Sequence, residues 1–221
     1  MMPFGNQKSA PIDDRAGPVE FTIVEQAANQ MFLPPEIHQL KDGATITLRS
    51  AIARDAAPLL EVIRSYIHQN DGLLWEPDEY QKTEADIRTW IGGTFSNDCE
   101  ILLLAEQAGE ILGNIDFHIG GRRRVRHTGE LGMAVAPAHR GRGIGGLLLG
   151  RMILWAEGIS QIERIELRAI ATNAAAIGLY RKFNFKEEGL RPRHVKYADG
   201  SYADDLLMGL DLKVAGSLNV S

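Results

Sequence analysis

The sequence predicts an α/β fold of the α+β kind, with a mixed, mostly antiparallel central sheet flanked by helices. Three observations carry this expectation. β-rich runs meet around Gly109, two more meet at Asp199-Gly200, and between them lies one strand–helix–strand stretch from Thr128 to Ile170. Hairpins give antiparallel neighbours, and one helical crossover gives one parallel pair.

Residues 1–43 read as an N-terminal extension. Met1 to Pro18 mixes Pro, Gly, Asn, Ser and charges, the composition of a flexible arm. Val19 to Gly43 is more apolar but is interrupted by Pro34-Pro35, and no element is assigned to it. The domain is expected over 44–214, with a tail over 215–221. Ala44 to Ala51 alternates like a strand through Ile46 and Leu48. Asp55 reads as an N-cap, followed by Leu59, Leu60, Ile63 and Ile67 at helical spacing and by Asp71-Gly72 as a stop. Thr83 with Asp86 resembles a capping box ahead of the stripe Ile87, Trp90, Ile91 and Phe95. Glu100 to Glu106 and Glu110 to Ile119 form the first hairpin, and Arg122 to Arg126 a basic turn. Thr128 to Ala136 is a strand, Ile144 to Glu157 a helix, Arg164 to Ile170 a strand and Asn173 to Phe183 a second amphipathic helix.

A chain of 221 residues with 44% hydrophobic and 24% charged residues has enough apolar material for one sizeable core. Cys99 is the single cysteine, so no internal disulfide forms and no zinc-ligand spacing exists; no metal is expected. One cysteine, no leader-like apolar start and no membrane-length apolar run fit a cytoplasmic protein with no membrane partner. A formal charge of −5 argues against nucleic acid and mildly favours cationic ligands such as amines.

The chemistry gathers at Arg140-Gly141-Arg142-Gly143-Ile144-Gly145-Gly146, between a strand and a helix. A helix N-terminus offers unsatisfied N–H donors and partial positive charge, and glycines admit an anion close to the backbone. The loop also matches the G-x-G-x-x-G string of dinucleotide-binding folds. Pro137 to Arg140 intervene between strand and glycines, however, and the next strand ends Leu167-Arg168-Ala169-Ile170 without the acid that would hold a ribose. No Lys-Ser or Lys-Thr follows the glycines, which disfavours a nucleotide-hydrolysing loop.

These motifs resemble the GNAT superfamily of N-acetyltransferases. Its pyrophosphate signature Q/R-x-x-G-x-G/A is filled by Arg140, Gly143 and Gly145, and the strand from Glu130 to Pro137 looks like the family's fourth strand. Asn173 to Phe185 resembles the second signature, N-x-x-A-I-x-L-Y-x-K-x-G-F, with Asn184 in place of glycine. The resemblance covers roughly Ala44 to Leu212. It implies the GNAT acyl-CoA fold, with acetyl-CoA as co-substrate. Backbone groups at Met133, Ala134 and Val135 would hold the pantetheine arm and acetyl carbonyl. The loop Arg140, Gly141, Arg142, Gly143, Ile144, Gly145 and Gly146 would hold the pyrophosphate, and Asn173 would bond the coenzyme nearby.

The same resemblance makes Tyr180 the general acid for the leaving thiolate, although the residue pattern alone reads it as a core aromatic beside Ile177. Glu130, three residues before Met133, becomes the candidate general base for the amine, set against a plain salt-bridged strand glutamate. Trp75 and His118 are the candidate acceptor contacts; Asp116 and His127 share the strands flanking the basic turn with His118. Asp204-Asp205 read as a solvated pair. The expected acceptor is a small-molecule amine such as an amino acid or polyamine. Protein N-terminal or lysine acetylation and a non-catalytic acyl-CoA sensor are the alternatives. A homodimer is compatible with the sequence.

Overall fold

The computed structural model describes residues 32–68 and 73–212. Its strands are β1 (Glu36–Gln39), β2 (Thr45–Ser50), β3 (Ile101–Gln107), β4 (Glu110–Ile119), β5 (Thr128–Val135), β6 (Arg164–Ile170), β7 (Lys186–Lys196) and β8 (Tyr202–Asp211). The α-helices are α1 (Ala56–His68), α2 (Glu84–Thr94), α3 (Ile144–Glu157) and α4 (Ala174–Lys182). The strands make one eight-stranded sheet in the order β1-β2-β3-β4-β5-β6-β8-β7. Every pairing is antiparallel except β5 with β6. The sequence therefore predicts the architecture correctly.

Local chemistry explains most boundaries. The β3–β4 turn is made by Ala108 (φ 50°) and Gly109 (φ 87°), both left-handed, as a two-residue hairpin joining the Gln107–Glu110 pair requires. At α2 the capping box forms in full: the Asp86 N–H donates to Thr83 Oγ1 and the Thr83 N–H to Asp86 Oδ2. Asn184 takes φ 66° after α4, and the Phe185 N–H returns to Tyr180 O at 3.1 Å, so asparagine serves as the left-handed cap.

Two local readings change. Glu36–Gln39, within the stretch left unassigned, is an edge strand on β2, and Leu33 and Leu40 enter the core; the sheet begins ahead of Ala44. So short a strand owes its conformation to its partner, not to its own pattern. Asp55 does not cap α1. It closes a 3-10 turn at Ala53–Asp55, accepting the Ile52 N–H and a two-pronged ion pair from Arg49. Against the cost of burial, those bonds hold its carboxyl below the ordinary range. Asp71-Gly72, the arm before Pro18 and the tail 215–221 lie outside the described residues.

The core has two layers divided by the sheet. Ile101, Leu103, Ile115, Phe117, Ile165 and Leu167 face α3 and α4, while Leu102, Leu104 and Ile111 face α1 and α2. Along β6 the residues alternating with the buried Ile165 and Leu167 are Arg164, Glu166 and Arg168. Along β6, the face that α1 and α2 cover at β3 and β4 is therefore a row of charged side chains. Among the described residues no helix is long and apolar enough to cross a membrane.

Candidate active site

The parallel pair β5–β6 holds only at Thr128–Arg164, Gly129–Ile165 and Glu130–Glu166. Beyond Glu130, β5 runs on to Val135 beside β4 and β6 runs on to Ile170 beside β8, without pairing with each other. A gap thus opens at their carboxyl ends. The Ala136 N–H goes to Leu112 O, toward β4. Strand alternation turns the peptide groups of Met133 and Val135 the other way, into the gap, while Ala134 is set opposite Asn114 of β4. Two backbone positions therefore offer hydrogen bonds to an extended ligand; Ala134 offers its small side chain.

The glycine loop stands at the same end. Gly141 (φ 77°) and Gly143 (φ 94°) are left-handed, and Gly143 caps α3. The Gly146 N–H turns back to Gly143 O at 3.1 Å, so the outward first-turn donors are those of Ile144 and Gly145. A Cβ on Gly145 would lie 3.4 Å from Leu179 and 3.7 Å from Met133, which puts the helix start against the gap wall. Arg140 donates through Nε to Val135 O at 3.1 Å, latching the loop to the strand edge. Arg142 is committed elsewhere: it bonds Asp42 Oδ2 at 2.7 Å and His139 Nδ1 at 3.1 Å, so its share in an anion site is its peptide N–H.

α4 flanks the gap from the helical side. Asn173 caps it, its Oδ1 accepting the Ala176 N–H at 3.1 Å. Tyr180 is 6% exposed and packs on Phe185 with ring centroids 5.8 Å apart. Burial pushes its phenol up to about 12, so it stays protonated at neutral pH, and its hydroxyl has no hydrogen-bond partner among the described residues.

On the open face, Glu130 sits at the apex of the gap and bonds Arg168 Nε at 2.9 Å. The carboxylate in turn raises the Arg168 guanidinium. Across β4, His118 is the register partner of Glu130, and Asp116 that of Gly132. A Cβ on Gly132 would meet Asp116 Oδ1 at 2.9 Å, so that carboxylate lies over β5 at the level where the gap opens. His118 Nε2 is 2.9 Å from Asp116 Oδ2, and Nδ1 is 3.7 Å from Glu100 Oε2. The Asp116 hydrogen bond, helped by Glu100, raises the imidazole above its ordinary value against the opposing effect of burial.

Trp75 is 47% exposed and edge-on to Tyr80 at 5.5 Å. Asp204 and Asp205 are not a solvated pair: Asp204 accepts the Arg193 N–H, and Asp205 is 1% exposed, facing Arg191 and His194. Sequence reasoning missed Tyr66 of α1. It is 2% exposed, its buried hydroxyl has no hydrogen-bond partner among the described residues, and Arg140 is near enough to act on it electrostatically. No local pattern marks it, since one tyrosine on an apolar helix face reads as packing.

A profile described as the acetyltransferase (GNAT) family matches residues 66–185. The L-amino acid N-acetyltransferase AaaT of Escherichia coli K12 is 29% identical over 100 residues, 45% of this chain and 61% of that enzyme, so less than two thirds of its length is spanned. An acetyltransferase of the GNAT family from Streptococcus pneumoniae superposes with a TM-score of 0.72 at 30% identity, over 76% of this chain and 99% of that one. The yncA protein of Salmonella typhimurium, solved with its cofactor acetyl-CoA, superposes with a TM-score of 0.70 at 22% identity, over 80% of this chain and 99% of that one.

Proposed function

Since the chain belongs to the acetyltransferase (GNAT) family, we propose that this acyltransferase moves the acetyl group of acetyl-CoA to the primary amine of a small molecule, by direct attack within a ternary complex. One observation carries the reading: the β5–β6 pairing ends at Glu130–Glu166, and the glycine-rich start of α3 stands at that same open end. The donors of Ile144 and Gly145 suit a pyrophosphate, and the peptide groups of Met133 and Val135 suit an amide-bearing arm. Tyr66, with its partnerless buried hydroxyl near Arg140, suits a further polar contact to the same ligand.

These placements support the following chemistry. An ammonium acceptor must first lose a proton to become a nucleophile. Its nitrogen then attacks the thioester carbonyl, and the C–S bond breaks. The departing thiolate takes the phenolic proton of Tyr180, which is restored by the second proton leaving the nitrogen. The products are the amide and the free thiol, with one proton released overall. Tyr180 is suited to the donor role because burial keeps it neutral and its hydroxyl has no competing partner.

The E. coli relative acts on L-amino acids, and the row of charged side chains along β6 supports acceptors of that size and polarity. The test is an acceptor panel of free amino acids, polyamines and peptide N-termini, with acetyl-CoA and detection of free thiol. Amino acids or polyamines are expected to release thiol fastest. A clear preference for peptides would move the acceptor to protein; no turnover with any acceptor, despite acetyl-CoA binding, would favour a sensor.

A further inference from the structure

We propose that His118, oriented by Asp116, is the group that takes the proton from the acceptor amine, a role that rests on the acetyl-transfer reading above. Three observations on the open face carry it. Glu130 is engaged by Arg168 at 2.9 Å, so one of its carboxylate oxygens is already taken by an ion pair. Asp116 lies over Gly132, where the gap opens, and its Oδ2 is 2.9 Å from His118 Nε2. His118 Nδ1 is 3.7 Å from Glu100 Oε2, too long for a hydrogen bond. The side chain is 42% exposed, and with Nε2 held by Asp116, Nδ1 is the ring nitrogen left to an incoming group.

These contacts assign the parts. With Nε2–H donated to Asp116, Nδ1 carries the lone pair. The amine's proton passes to Nδ1, directly or through one water, and the resulting imidazolium lies between Asp116 and Glu100. The charged groups facing the ring are Asp116 on β4, Glu100 ahead of β3 and Glu130 across on β5. α2 contributes the uncharged Trp90, with ring centroids 6.4 Å apart. Both contacting carboxylates stabilise the charged ring, which makes His118 a stronger base than free imidazole. The sign is therefore fixed. Below the raised value the ring is already protonated and cannot accept, so the rate falls toward acid, with a midpoint above that of an ordinary imidazole. Asp116 is a positioning residue: it acts through the ring.

The experiment measures kcat/KM against pH with the best panel acceptor for wild type, His118→Gln, Asp116→Asn and Glu130→Gln, beside acetyl-CoA affinity by calorimetry for each. His118→Gln is expected to bind acetyl-CoA as wild type does, to lose roughly a hundredfold in rate at neutral pH, and to lose the acidic limb. Asp116→Asn is expected to keep the limb but shift it toward acid. Glu130→Gln, whose change breaks the Arg168 pair, lowers the rate yet leaves the limb in place. In His118→Ala, added imidazole restores rate, a rescue that a purely structural role would not give. Wild-type rate and an intact limb in His118→Gln would overturn the inference while leaving the acetyl-transfer reading standing, as would a limb lost only in Glu130→Gln. Failure of the wild type to bind acetyl-CoA would overturn the reading beneath it and this inference together.

Discussion

Tyr180 shows how surroundings can suit one residue to the proposed role of proton donor. Its ring is buried against Phe185, and that burial keeps the phenol protonated up to about 12. A donor that never ionises in the working range suits protonation of a thiolate. Tyr180→Phe retains the packing and removes the proton, so kcat is expected to fall roughly ten- to a thousandfold while the acetyl-CoA dissociation constant changes little. Steady-state kinetics beside calorimetry separates the two, and an unchanged kcat would return Tyr180 to the core. The sequence motif singled out Tyr180 in advance. Arg168 was not singled out, because its partnership with Glu130 depends on a parallel register set across the whole α3 crossover. Asp55 misled for a similar reason: its cap-like position is overridden by Arg49, which arrives from the neighbouring strand.

At the scale of elements, β5 carries the site: it pairs on both sides at its start and on one side only at its end. Gly129 makes that start possible. It is the register partner of Ile119 and Ile165, and a Cβ there would come 2.2 Å from the Phe117 ring and 2.6 Å from His118 O. Gly129→Ala must push the fully buried Phe117 or the β4 backbone aside, a cost of about 1–3 kcal/mol. Chemical denaturation is expected to show a lowered midpoint with an unchanged slope; an unmoved midpoint would show that the neighbours yield freely. Hairpins, the Thr83 and Asn184 caps and the start of α3 were readable in advance because glycine, asparagine and threonine set them locally. β1 was not, since its four residues, flanked by Pro34-Pro35, form a strand only where β2 supplies partners.

For the molecule as a whole, the sheet separates two tasks. α3 and α4 pack on one face, with the glycine loop at the start of α3, while the other face carries His118 and Asp116 on β4 and Arg168 on β6, the residues proposed to meet an acceptor. The fold class was readable from one crossover among hairpins, and the anion loop from its glycines. The gap itself was not, because a strand that loses its neighbour halfway has no sequence mark of its own. The most direct measurement is acetyl-CoA binding by calorimetry to wild type and to Gly145→Leu. A side chain at that position would grow from a Cβ 3.4 Å from Leu179 and 3.7 Å from Met133, into the mouth of the gap. The expected result is one-to-one binding by the wild type and a loss of at least about tenfold in affinity, roughly 1.4 kcal/mol, in a variant that remains folded. Equal affinity in the two proteins would contradict the placement of the coenzyme between β5 and β6.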